Sequence, residues 1–161
     1  MAQLTGIFTG TPGKDPFSGS INNEETTVVD GIVTGIAVEQ LVLDTLGGPD
    51  RITATTNFFA QPFLPALAIG ITNADINTGT GRDRVTVSSE GNSLESTISI
   101  GVQNTLIETG ADRDIITISS DGNASFAGGS IPATSTAATV LSSRLNLTQA
   151  LKTASVFWKV R

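Results

Sequence analysis

The chain has 161 residues, a formal net charge of −6 and neither cysteine nor histidine. This length suits one domain with a real core, and 39 % hydrophobic against 15 % charged residues excludes a disordered acidic chain. The acidic balance argues against nucleic acid as a partner. The missing side chains exclude disulfides, thiolate or imidazole zinc sites and histidine-based nucleophile pairs.

In chain order, Met1 to Phe8 carries neither a basic segment nor a long apolar run, so no cleaved secretory signal is read there. Thr9-Gly-Thr-Pro-Gly-Lys-Asp15-Pro-Phe17 is then the first, loose occurrence of a pattern that returns three times. The pattern is Thr, four residues, Asp, one residue, Ile or Val, Thr. It runs from Thr45 to Thr53, from Thr78 to Thr86 and from Thr109 to Thr117. Its aspartates are Asp50, Asp83 and Asp114, with Asp15 ahead of them, a period of about 32 residues. A period of this length predicts a solenoid, whose units bury their apolar faces only by stacking.

Within a repeat, apolar and small polar residues alternate with the period of two that marks strands. The first strand follows the aspartate, at Arg84–Ser88 and Ile115–Ser119, and is read as ending at turns Glu90–Asn92 and Asp121–Asn123. A second is read at Pro65–Gly70 and Ser96–Gly101, a third at Ala74–Thr78 and Asn104–Thr109. The whole is an all-β chain, a parallel β-solenoid of about four coils: one three-sided β-helix coil per repeat, or two smaller coils of a β-roll. Val85, Val87, Ile116 and Ile118 are the expected inward ladders, with Thr86, Ser88, Thr117 and Ser119 outward.

The repeats are placed at about 5–38, 41–72, 74–104 and 105–132, in a single domain spanning 1–161. Thr26–Val38 gives the first repeat a second strand with extra turn residues. Asn57–Pro65 inserts a proline-bearing loop whose three phenylalanines cover the coil or form an exposed contact surface. The longest apolar stretch, Phe58 to Ile71, is too broken to span a bilayer. Residues 133–161 are read as a cap: an irregular link from Ala133 to Ala138, then Asn146–Trp158, either a helix with Leu147, Ala150, Leu151, Ala154 and Phe157 on one face or a strand.

The stretch Asp75-Ile-Asn-Thr-Gly-Thr-Gly-Arg-Asp-Arg-Val-Thr86 resembles the calcium-binding Gly/Asp repeats of the repeats-in-toxin proteins and their cyanobacterial variants, over roughly Thr45 to Asn123. The resemblance implies a β-roll-like fold whose turns hold calcium. Carried over, Asp50, Asp83 and Asp114 are the metal ligands, with Asp112 beside Asp114, and Gly48, Gly79, Gly81 and Gly110 shape the cradle. The sequence departs from that pattern where Thr replaces the leading glycine, where Asp112 replaces the middle one, and where Arg51, Arg82, Arg84 and Arg113 flank the aspartates. Arginine competes with a cation for carboxylates, so aspartates bonded to turn amides in a solvent-facing Asp–Arg ladder are the other reading.

The expected function is a non-catalytic structural or adhesive module, extracellular or on the cell surface, self-associating head to tail and stiffened by calcium. Two alternatives use the same stretch. Paired Thr53/Thr55, Thr86/Ser88 and Thr117/Ser119 on a flat face suit a surface ligand such as ice or carbohydrate. Arginine beside aspartate would suit a polysaccharide-active enzyme.

Overall fold

Thirteen strands and no helix make up the described part of the computed structural model, namely residues 3–60, 63–122, 124–126 and 138–145. The chain opens with β1 (Leu4–Thr9), β2 (Pro16–Ile21), β3 (Thr27–Val29) and the long β4 (Ile32–Asp44). Two regular triplets follow. The first is β5 (Arg51–Phe59), β6 (Ala66–Thr72) and β7 (Asp75–Asn77); the second is β8 (Arg84–Asn92), β9 (Thr97–Gln103) and β10 (Leu106–Glu108). The described chain closes with β11 (Ile115–Gly122), β12 (Ala124–Phe126) and β13 (Ala138–Leu145).

Each triplet is one coil with three sides, so one repeat is one coil and not two. One side is the parallel sheet β2, β5, β8, β11 and β13. The first half of β4 pairs with β6, which pairs with β9 and then β12, making the second side. The end of β4 pairs with β7 and then β10, with β1 on the other edge of β4, making the third. Every one of these pairings is parallel. Ile52 lies beside Val85 and Val85 beside Ile116, which converts the period of the sequence directly into rungs.

Alternation decides what goes inside. Ile52, Val85 and Ile116 form one buried ladder, Ala54, Val87 and Ile118 a second, and Leu43, Ile76 and Ile107 a third from the opposite side. Each such Ile, Leu or Val removed from water contributes about 1.5–3 kcal/mol, so matching rungs add their stabilisation coil by coil. Thr86, Ser88, Thr117 and Ser119 occupy the outward positions between them.

Three corners join the sides. The Gly/Asp corner leads into β2, β5, β8 and β11. The second is a single-residue bend at Gln40, Asn73 and Asn104, all at φ near 50°. Asn tolerates the left-handed region because its short polar side chain bonds locally, and Asn73 and Asn104 stack one coil apart. The third corner, between β5 and β6, carries the insertion.

At this third corner the structure departs from the sequence reading. Glu90–Asn92 is not a turn: β8 runs through it with Gly91 buried, and the bend falls at Ser93–Ser96. β11 likewise extends to Gly122, while Asn123 lies outside the described residues. Gly91 sits where a Cβ would come 3.1 Å from the Ala68 Cβ, so it thins the coil and does not reverse the chain. The insertion begins as strand: β5 continues to Phe59, and Phe58 packs with Val33, Ala60, Ala66 and Ala68 in a small second core. Phe59 and Phe63 face solvent, so the three phenylalanines divide between both expected roles.

Thr26–Val38 holds an antiparallel hairpin in place of one strand with a long turn. β3 folds back on β4 across Asp30-Gly31, both with positive φ. Asp-Gly between apolar pairs is a strong short-range hairpin signal, and it was present in Val28-Val-Asp-Gly-Ile-Val33.

Within the expected cap, β13 continues the five-stranded sheet as a further rung, in register with β11 from Ile115↔Ala138 to Gly122↔Leu145. The chain takes a shorter step to this rung than between the earlier ones. The link at 133–137 and the segment from Asn146 onward lie outside the described residues. Among the described residues no helix is long and apolar enough to cross a membrane.

Candidate functional site

The repeated Asp sits just before the first strand of each coil, with its side chain turned inward. Asp50, Asp83 and Asp114 are each 2 % exposed. The backbone N–H of Asp15 donates to Asp50 Oδ1 at 2.8 Å, that of Asp50 to Asp83 Oδ1 at 2.8 Å, and that of Asp83 to Asp114 Oδ1 at 3.0 Å. The aspartates therefore form a continuous ladder along the solenoid axis. Each carboxylate accepts the amide of its own counterpart one coil earlier. Asp15 completes this series, which makes the loose first copy of the motif a true rung.

The threonine five positions before each aspartate explains the motif's spacing. Thr45, Thr78 and Thr109 are fully buried. Thr78 Oγ1 donates to Asp83 Oδ2 at 2.6 Å, whereas Thr45 Oγ1 donates to the Thr78 carbonyl at 3.0 Å. Asp50 Oδ2, Asp114 Oδ2 and Thr109 Oγ1 are buried and have no hydrogen-bond partner among the described residues. Burial pushes the Asp83 carboxyl above its ordinary value; bonds from Thr78 and the Asp50 amide oppose this, and the charges of Asp114 and Asp50 add to it.

The glycines serve close packing between coils. A Cβ on Gly110 would overlap the Gly79 carbonyl oxygen, and one on Gly81 would overlap that of Gly48. Both have positive φ, 68° and 133°. Asp112 keeps the left-handed backbone, at φ 88°, where the previous coil has Gly81, and its side chain is exposed, off the ladder. The structure thus joins three of the four predicted ligands and sets the fourth apart.

The solvent-facing Asp–Arg ladder does not form as such, because the aspartates are interior. Arg51 and Arg84 lie in register on the outer face of β5 and β8, and Arg113 is exposed in its turn. Most of the aspartate oxygens are already engaged. The Oδ1 atoms are taken by amides and Asp83 Oδ2 by Thr78, while Asp50 Oδ2 and Asp114 Oδ2 sit on rungs separated by Asp83. Calcium takes about six to eight oxygens, so an ion would have to displace these bonds. Among the described residues no group of three or more acidic side chains is placed to hold a metal.

On the outer face of the five-stranded sheet two polar rows run along the axis: Ser18, Thr53, Thr86 and Thr117, and Ser20, Thr55, Ser88 and Ser119. Rungs lie about 4.8 Å apart and alternate residues about 6.8 Å apart along a strand. No protein-family model matches this chain, and neither a curated protein nor a solved structure matches it. The functional reading therefore rests on this geometry.

The sequence reading offered turn amides as partners of the aspartates, but not that each amide belongs to the counterpart aspartate one coil earlier. Thr-x4-Asp was visible as a pattern; that the hydroxyl and the carboxylate meet inside the turn was not. The Asn73/Asn104 bend was also missed, although Asn recurring at the repeat period was a legible signal.

Proposed function

We propose that this chain is a non-catalytic structural or adhesive β-solenoid module, acting outside the cell or on its surface and associating end to end. The observation that supports this reading is the in-register stack itself, tied from coil to coil by the buried aspartate ladder. Its cross-section repeats, so a further rung from another molecule would meet the same backbone pattern. β2 ends the five-stranded sheet, and its outer edge pairs with no other strand among the described residues. Beside it, Ile7 and Phe8 of β1 are exposed. An open edge with apolar side chains favours pairing, and a lysine there opposes it. Light scattering over a wide concentration range tests the assembly. Growth that Ile7→Lys abolishes is the expected result; a strict monomer throughout would sink it.

Calcium stiffening belongs to the same proposal and rests on the resemblance to Gly/Asp repeats. It has its own measurement. Melting with millimolar calcium and with a chelator should separate by more than a degree or two if the turns take the ion. Coincident melts would remove calcium and leave the scaffold reading intact.

The two Thr/Ser rows favour a second reading, binding to a flat surface such as ice or a carbohydrate. Thermal hysteresis and a polysaccharide pull-down, each lost in Thr86→Lys, would support it; no signal in either would retire it.

A further inference from the structure

The corner between the first and second sides carries an apolar stripe that crosses three coils. Val29 and Ile32 contribute from the β3–β4 hairpin, Phe59 and Phe63 from the insertion, and Leu94 and Ile98 from the coil after it. Phe63 is 78 % exposed and Leu94 66 %. Hydrogen bonds hold these segments side by side. Val33 N–H donates to the Pro65 carbonyl, Ser93 Oγ to the Leu64 carbonyl, and Phe59 N–H to Asn23 Oδ1. A stripe of this extent on a monomer marks a contact surface.

Charge gives the stripe a sign. Glu24, Glu90 and Glu95 lie along this corner, and Asp121 lies there in register with Arg144 of β13. Every Lys and Arg whose side chain is described, namely Lys14, Arg51, Arg82, Arg84 and Arg113, lies instead at the Gly/Asp corner. An occupant of the stripe should therefore be apolar on one side and cationic.

We propose that the chain's own residues 146–161 dock along this corner. β13 runs parallel to β11 and ends at Leu145 opposite Gly122, so the chain leaves the sheet at this corner and at the last described rung. By sequence, the segment that follows contains Lys152, Lys159 and Arg161 and no acidic residue. At helical spacing Leu147, Leu151, Ala154 and Trp158 share one face. A helix of that length spans about 24 Å. The four steps from the β13 rung back to the β2 rung span about 19 Å, so the segment reaches the whole stripe. Both its apolar face and its charge match the corner.

Trp158 is the only tryptophan, which makes its fluorescence a direct readout. In the full chain its emission should be blue-shifted and several-fold less quenched by acrylamide than free indole, at all dilutions. Phe63→Ser with Leu94→Ser should shift it to the red and restore quenching; so should Glu24→Lys with Glu95→Lys, to a smaller extent. These side chains are exposed, so circular dichroism should show the solenoid intact. Val42→Ser, at an exposed position on the third side, should change nothing. Three results would overturn the proposal. The first is a fully hydrated Trp158 in the unaltered chain. The second is a buried Trp158 indifferent to both corner variants, which places the segment over the last rung. The third is a blue shift lost on dilution, which assigns the contact to a second copy.

Discussion

Asp83 Oδ1 accepts the backbone N–H of Asp50, which lies 33 positions earlier in the chain and one coil away, at 2.8 Å. This bond ties two successive coils together immediately before the parallel pairing of β5 with β8 begins. Replacing Asp83 by Ala leaves the Asp50 amide buried without an acceptor, which costs about 1–3 kcal/mol. Asp83→Asn keeps the Oδ1 acceptor and should retain most of that stability. Urea melts of the two variants check this; equal losses would show that the amide bond contributes little.

The pH dependence follows from the raised Asp83 carboxyl. Its folded pKa lies above the model-compound value of 3.8, so the folded state holds this proton more tightly than the unfolded chain does. The group's contribution to stability is complete below 3.8 and is lost as pH rises through the folded value. Denaturant melts across the mildly acidic range should show a component that favours lower pH. That component should vanish in Asp83→Asn.

Gly110→Ala should be among the most damaging single changes. The new methyl would overlap the Gly79 carbonyl oxygen, on a backbone at φ 68°. More than about 2 kcal/mol should be lost, since strain and overlap add. Gly31→Ala is the control. Its φ is also positive, 77°, but nothing lies within 4 Å, so only the conformational cost of about 1 kcal/mol remains. Thermal melts rank the pair, and equal effects would argue against coil-to-coil contact.

Phe58 and Phe63 should behave oppositely although they share one insertion. Phe58 is 2 % exposed and fills the second core, so Phe58→Ala should cost about 3–5 kcal/mol. Phe63 takes no part in that core, so Phe63→Ala should cost far less, no more than about 1 kcal/mol. Chemical denaturation distinguishes the two.

Legibility varied with how far each signal depended on neighbours. The alternation in Arg84–Ser88 and Ile115–Ser119 placed Val85, Val87, Ile116 and Ile118 inside, because a strand has only two faces and one must be dry. Glu90-Gly91-Asn92 misled because Gly and Asn mark turns on average, whereas Gly91 answers a local shortage of space beside Ala68. The candidate ligands Asp50, Asp83 and Asp114 were found by their period, and their orientation was not. Periodicity says which residues stack, and not which way a side chain turns.

From sequence alone came the strand period, the length of the repeat and the choice of residues that recur, since each is a property of spacing along one chain. Tertiary structure alone decided that a repeat is one three-sided coil, and that its aspartates bond the amides of the preceding coil. The reason is physical. An isolated turn can point its carboxylate anywhere, but once coils lie about 4.8 Å apart, a buried N–H on one coil must find an acceptor, and the aspartate of the next is within reach.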